Sequence, residues 1–161
     1  MRRPLFAVFV AAVFVAVLAG LLCATSASHA LTIQVLGISE VAIIGSNILQ
    51  VSQATEARGS EPTIMVDEEC ALVWTTNMTN MKITVATNLA SPTYVLKVLA
   101  VNVSGGTAAG EVVLSTTATD FVIDISQSIG GCNIRYTASA TSAQSEGFDE
   151  HTITYTITRA T

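Results

Sequence analysis

Charged side chains are scarce in this chain of 161 residues. They make up 12% of the sequence, with seven Lys or Arg against twelve Asp or Glu, and the basic residues form no cluster. A net charge of −5 without a basic patch repels nucleic acid and anionic lipid surfaces. The composition therefore argues against a nucleic-acid-binding protein, and we expect no nucleic-acid partner.

Metal-binding and reactive side chains are scarce as well. The chain has three cysteines and two histidines, and no Cys-x-x-Cys pair. Phosphate-loop, dinucleotide-binding and metalloprotease motifs are absent from the sequence. We therefore expect neither a metal ion nor a cofactor.

The first 30 residues have the organisation of a secretory signal. Two arginines precede an uncharged apolar run from Leu5 to Leu22, and Ser28-His29-Ala30 offers a small-x-small cleavage site. We predict a signal peptide at residues 1–30 and an exported domain, secreted or at the cell surface, at residues 31–161. The alternative is an uncleaved anchor, because the apolar run reaches the ~18 residues that can span a bilayer. In both cases the membrane is contacted only through the leader.

Cleavage would remove Cys23 and leave Cys70 and Cys132. Two cysteines in an exported chain most often pair, so we predict a disulfide between Cys70 and Cys132. In the chain-entropy model, a closed loop of this length stabilises the fold by about 4 kcal/mol. Two unpaired buried cysteines are the alternative.

The rest of the chain is rich in Val, Ile, Thr, Ser and Ala, which favour strands. Alternating apolar runs are separated by turn residues at close spacing, and Asn77–Asn80 predicts a hairpin between Cys70–Thr76 and Met81–Thr87. We expect an all-β fold, a single antiparallel β-sandwich of the immunoglobulin-like or Greek-key kind, preceded by an N-terminal hydrophobic signal helix. The expected strands are Leu31–Gly37, Val41–Ile44, Ile48–Val51, Thr63–Val66, Cys70–Thr76, Met81–Thr87, Tyr94–Val101, Glu111–Thr116, Phe121–Ile125, Asn133–Ala140 and Thr152–Thr158.

Few residues suggest chemistry. His151 follows Asp149 and Glu150, but no Gly-x-Ser-x-Gly elbow accompanies them, so we interpret His151 as a solvated residue at a strand start and predict no catalytic site. Asp67–Glu69 is interpreted as a charged turn, with calcium binding as the alternative. Trp74 is expected in the core, with a sugar-stacking role as the alternative.

The end of the chain carries a distinctive pattern. Gly147 is followed by the alternating strand Thr152–Thr158, which places Ile153, Tyr155 and Ile157 on one face, and the chain has only two lysines. This ending resembles that of chaperone–usher fimbrial or spore-coat-like secreted subunits. The resemblance implies assembly by strand pairing, with copies of the chain, other surface subunits and a periplasmic chaperone as partners.

Two interpretations of Leu31–Gly37 follow. A domain of this length can complete its own core, which makes the segment the first strand of its own sheet. The resemblance implies instead a donor strand, in which Ile33 and Val35 enter a neighbour's groove.

The sequence as a whole predicts an exported, non-enzymatic structural or adhesive surface subunit. The alternative is a small secreted carbohydrate- or protein-binding module whose site lies in the loops Ser52–Pro62 and Thr141–Glu150. A third hypothesis is a secreted hydrolase that uses His151 and an acid.

Overall fold

The computed structural model describes residues 28–46, 48–50 and 64–161. The chain divides into two units, Met1–Val35 and Leu36–Thr161. The described residues of the first unit form no strand and are exposed; we call Leu31–Val35 the arm. Nearly all of the predicted signal peptide lies outside the described residues, as does the predicted loop Ser52–Pro62.

The described residues contain nine strands and no helix, which confirms the all-β prediction for this part of the chain. The strands are β1 (Ser39–Ile44), β2 (Met65–Thr76), β3 (Met81–Thr87), β4 (Val95–Ser104), β5 (Thr107–Ala108), β6 (Val112–Val113), β7 (Thr119–Ile125), β8 (Ile129–Ser139) and β9 (Ile153–Arg159).

The strands form two antiparallel sheets. One has the order β1-β2-β8-β4-β6 and the other the order β5-β7-β3-β9. Alternation along β3 shows how each strand acquires a buried face: Met81, Ile83 and Val85 are buried, whereas Lys82 and Thr84 between them are partly exposed. Buried side chains from both sheets form one hydrophobic cluster, whose largest members include Trp74 and Phe121.

The hairpin predicted across Asn77–Asn80 is wrong. β2 pairs with β1 and β8, whereas β3 pairs with β7 and β9, so the connection crosses from one sheet to the other. Both strands have an alternating apolar face, and that pattern is equally compatible with adjacent strands and with strands that face each other across a core.

Three other predicted strands need correction. Leu31–Gly37 forms no strand, and neither do the described residues 48–50 of Ile48–Val51. Thr63–Val66 is not a separate strand, because its described part merges into β2 across a register irregularity between Asp67 and Cys70. That irregularity accommodates the acidic residues predicted to form a turn.

The predicted disulfide between Cys70 and Cys132 is not formed, and both buried thiols are unbonded. In the β2–β8 pair, Cys70 lies opposite Ile134 and Cys132 lies opposite Leu72. The two cysteines are therefore diagonal neighbours, for which a separation of about 7–8 Å is typical. Disulfides usually join Cα atoms about 4.4–6.8 Å apart, so the register of this pair keeps the sulfurs apart.

Candidate functional site

A cleft of about 1170 Å³ opens at one end of the two sheets. It is built from residues 48–50, the start of β4, the end of β8, the loop between β8 and β9, and the start of β9. Its lining consists of Ile48, Leu49, Gln50, Tyr94, Val95, Leu96, Tyr136, Ala138, Ala140, Thr141, Ser142, Gln144, Ser145, Glu146, Gly147, Phe148, Asp149, Glu150, His151 and Ile153.

Strand pairing positions the floor of the cleft. Leu96 pairs with Ala138 where β4 begins and β8 ends, and Ile153 pairs with Thr87 where β9 begins. Leu49 adds a further apolar side chain that packs against the core. The floor is consequently apolar and is held by two sheets.

Hydrogen bonds fasten the loop between β8 and β9 over this floor. The Tyr94 hydroxyl donates to the carbonyl of Ser145 at 2.7 Å, and the Gln144 amide donates to the carbonyl of Thr93. Within the loop, the backbone N–H of Thr141 donates to Gln144 Oε1 at 2.7 Å. These contacts bring the loop to the start of β4 and give the cleft its wall.

Two large apolar side chains stand at the cleft with most of their surface in water. Ile48 is 94% exposed and Phe148 is 88% exposed. Isolated exposed apolar residues are common, but these two line one concavity whose floor is also apolar. The cleft therefore offers contact area to an apolar ligand.

The charge of the cleft is negative. Glu146, Asp149 and Glu150 line it, and its described lining contains no Lys or Arg. Desolvation acts to raise the pKa of Asp149. Hydrogen bonds from the Tyr94 N–H, at 2.8 Å, and from Thr93 act to lower it, and so does the charge of His151. These lowering effects are together the larger, so the pKa of Asp149 lies below its usual value. The cleft consequently favours neutral or cationic ligands over anions.

The structure brings His151 into the same cleft as Asp149 and Glu150, which the hydrolase hypothesis requires. The Nδ1 atom of His151 lies 3.0 Å from the Thr87 hydroxyl, which is a pairing of a base with a possible nucleophile. Thr87, however, is only 4% exposed, and its Oγ1 also accepts a hydrogen bond from the N–H of Leu89. The contact therefore joins the end of β3 to the start of β9.

The residues predicted to carry assembly contacts fall into two groups. In the arm, Ile33 is 79% and Val35 is 74% exposed. On β9, Tyr155 is buried and its hydroxyl lies 3.0 Å from that of Tyr136, while Ile153 and Ile157 are partly buried against the core. β9 occupies the edge of its sheet, so its apolar face belongs to the core while one of its backbone edges stays unpaired within that sheet.

Other candidate residues have structural contacts. Glu68 forms an ion pair with Arg135 beside the β2 irregularity, and Trp74 is 2% exposed within the core. Among the described residues, no group of three or more His, Cys, Asp or Glu side chains could hold a metal ion. Nor does that part of the chain contain a helix long and apolar enough to cross a membrane.

Sequence reasoning nominated the loop Thr141–Glu150 without singling out Phe148 within it, and it missed Tyr94 and Leu49. One signal was available, because Phe148 is an aromatic residue inside a run of polar and acidic residues. Leu49 and Tyr94 carried no such signal, since both belong to apolar runs that predict strands. Comparisons of this chain with family models, curated proteins and solved structures found no match.

Proposed function

We propose that this protein is an exported, non-enzymatic structural or adhesive subunit that assembles at a cell surface through the arm. The arm supports this most directly. It forms no strand, and its apolar residues Leu31, Ile33 and Val35 are 74–79% exposed. Alternating apolar side chains on a segment that belongs to no sheet of the described residues suit pairing with another chain.

The proposal includes the finer fold and the export route predicted from the sequence. Two antiparallel sheets with a shared core, joined by connections that cross between them, support an immunoglobulin-like or Greek-key sandwich. The signal-like order of residues 1–30 supports export and cleavage after Ala30. Sequencing of the exported protein from its N-terminus should then begin at Leu31.

Assembly is tested on the exported protein by analytical ultracentrifugation and by denaturing gels run with and without heating. We expect concentration-dependent oligomers that heating dissociates. A variant without residues 31–35, and one with Leu31, Ile33 and Val35 replaced by Ser, should remain monomeric with unchanged circular dichroism. A matched control replaces Val113 by Ser, because Val113 is 58% exposed on β6 and lies outside the arm. A wild-type protein that stays monomeric at millimolar concentration would refute the proposal.

The cleft supports a second candidate function, a small carbohydrate- or protein-binding module. Exposed Phe148 can stack on the apolar face of a sugar, and the carboxylates of Glu146 and Glu150 can accept hydrogen bonds from its hydroxyls. Binding on an array of neutral glycans that disappears in Phe148→Ala but persists in Val113→Ser would favour this function. Its absence at all concentrations would exclude neutral glycans as ligands.

A further inference from the structure

The two sheets of the domain Leu36–Thr161 differ on the sides that face away from the core. On the sheet β5-β7-β3-β9 this side carries polar residues, such as Lys82 and Thr84 on β3 and Thr154 and Thr156 on β9. An antiparallel sheet that covers a core on one side and meets water on the other has this pattern. This sheet therefore needs no further cover.

The sheet β1-β2-β8-β4-β6 does not follow that pattern. Its strands contain unbroken apolar runs at Val41–Ile44, Ala71–Trp74 and Val98–Val101, whereas β3 and β9 alternate. Unbroken apolar runs are typical of strands that are buried on both faces. We call the side of this sheet that faces away from the core the outer face.

Strand register groups the apolar side chains of the outer face into two stripes, one on each side of β8. Ala71 and Val73 alternate with buried residues of β2 and so point outward, and Ile44 on β1 pairs with Ala71. Leu99 and Val101 alternate with buried residues of β4 and form the second stripe. Ile44 is 59% and Val73 is 37% exposed. Grouped apolar side chains in water are typical of an interaction surface.

The area of the outer face is sufficient for a specific contact. The strands β1, β2, β8 and β4 together contain about 40 residues, and a residue occupies about 16 Å² of sheet, because the rise is about 3.4 Å and neighbouring strands are about 4.8 Å apart. Two such faces in contact would bury about 1,300 Å², near the lower end of the range of about 1,200–2,000 Å² for specific interfaces. Two sheets can stack in this way with their strands about 30° apart.

The polar groups of the outer face suit contact with an identical face. Arg135 forms an ion pair with Glu68, and Lys97 Nζ lies 2.9 Å from a carboxylate oxygen of Glu111, so both cations keep a partner when water is removed. Asn133 is exposed on β8, the central strand. Its side chain contains a donor and an acceptor, so the same residue of two copies can bond reciprocally across a two-fold axis.

We infer that the outer face binds the outer face of a second copy, so that oligomers joined through the arm associate side by side. The inference rests on the proposed function, because a contact near the lower limit of area needs the high local concentration that an oligomer provides. A contact between identical faces occupies the face of both copies and cannot extend further. It therefore joins oligomers in pairs, whereas the arm builds each oligomer.

The substitution Val73→Glu tests the contact, because it places a carboxylate on each of the two facing surfaces. In sedimentation equilibrium of the exported protein, its oligomers should have about half the mass of wild-type oligomers at the same concentration, since the contact joins them in pairs. The matched control is Thr156→Glu, which adds the same charge to the outward side of the other sheet and should leave the mass unchanged.

A second variant covers the case in which Val73→Glu fails to fold, which circular dichroism and thermal unfolding would reveal. Ile44→Glu changes a more exposed residue on the edge strand β1 and should lower the oligomer mass in the same way. A folded variant of either kind whose oligomers keep the wild-type mass would overturn the inference.

Photo-cross-linking identifies the occupant of the outer face. A benzophenone amino acid replaces Thr75, which is exposed on β2 beside Val73, in a mixture of unlabelled and isotope-labelled copies. Mass spectrometry should find cross-links between two copies that map to β1, β2, β8 or β4. Cross-links between copies that map only to β3, β7 or β9, or cross-links to a different protein alone, would contradict the inference.

The outcomes separate this inference from the proposed function. If deletion of residues 31–35 gives monomers but Val73→Glu leaves the oligomer mass unchanged, the inference fails and the proposed function stands. If the deletion leaves the oligomers intact, the proposed function fails, and the inference fails with it because it assigns the outer face to oligomers that the arm has joined.

Discussion

Replacement of Gly130 by Ala should test the packing of the core around the single tryptophan. Gly130 lies on β8, and a Cβ atom built on it would come within 2.5 Å of Cε2 and Nε1 of Trp74 and of the carbonyl oxygen of Ser104. One of these neighbours is backbone and the other is a ring that is 2% exposed. Neither can move away without displacing a strand or the surrounding core.

The magnitude follows from two opposing effects. Overpacking of a well-packed core typically costs about 1–3 kcal/mol, and contact with backbone places this site near the upper end. Replacing Gly by Ala restricts the unfolded chain and contributes about 0.4–1 kcal/mol in the other direction. We expect a net loss of about 2 kcal/mol in the free energy of unfolding, which is a factor of about 30 in the equilibrium constant.

Urea unfolding followed by tryptophan fluorescence measures this loss, because Trp74 is the only tryptophan in the chain. With a slope of about 2 kcal/mol per molar urea, the midpoint should fall by about 1 M. The matched control is Gly131→Ala on the same strand, whose Cβ would lie 3.1 Å from the carbonyl oxygen of Leu72, so that this neighbour would need to move by only a few tenths of an ångström. A Gly130→Ala midpoint equal to that of the wild type or of the control would refute the reasoning.

Three further predictions concern buried hydroxyls, thiols and the attachment of the arm. Tyr136→Phe should lower the free energy of unfolding by about 1–3 kcal/mol, because it leaves the buried Tyr155 hydroxyl without its partner 3.0 Å away. In a double-mutant cycle measured by urea unfolding, the variant with both Tyr136 and Tyr155 replaced by Phe should lose less stability than the sum of the two single changes. Burial raises the pKa of both tyrosines above the ordinary value of 10.0, so the folded state keeps protons that the unfolded chain loses at high pH. Stability should therefore fall as the pH rises above about 10, and it should fall less steeply in the double Phe variant. Burial raises the pKa of Cys132 to about 11, and burial also raises the pKa of Cys70, so neither thiol should react with Ellman's reagent at pH 8 until the protein unfolds. Two thiols should then titrate in the unreduced mature protein, whereas none would indicate a disulfide. Asn77→Ala removes two hydrogen bonds to the segment that carries the arm, so it should lower the free energy of unfolding by about 1–2 kcal/mol and speed proteolysis within residues 31–38. Unchanged proteolysis would show that the Asn77 side chain does not hold this segment.

Local patterns in the sequence account for much of the fold. Met81–Thr87 was predicted as an alternating strand, and β3 has those bounds with the expected face buried. Trp74 was expected in the core and lies there. These properties depend on a strand's own residues, because successive side chains of a strand point to opposite faces wherever it is placed.

Part of the candidate site was also visible in the sequence. The loop Thr141–Glu150 was nominated as a binding loop, and its residues from Thr141 to Glu150 supply about half of the cleft lining. The opposing residues were missed, because Leu49 and Tyr94 are distant in sequence and gain their role only from the strands beside them. A cleft built from three separate stretches of the chain, residues 48–50, 94–96 and 136–153, leaves no contiguous motif.

The amino-acid sequence alone determined that this chain forms strands and which side chains of β3 and β9 turn inward. Tertiary structure alone decided which strands pair, that β2 and β3 belong to different sheets, and that the register of β2 and β8 sets Cys70 and Cys132 diagonally apart. The reason is that strand pairing uses backbone groups, which are the same in every residue, so the choice of partner depends on how the whole core packs.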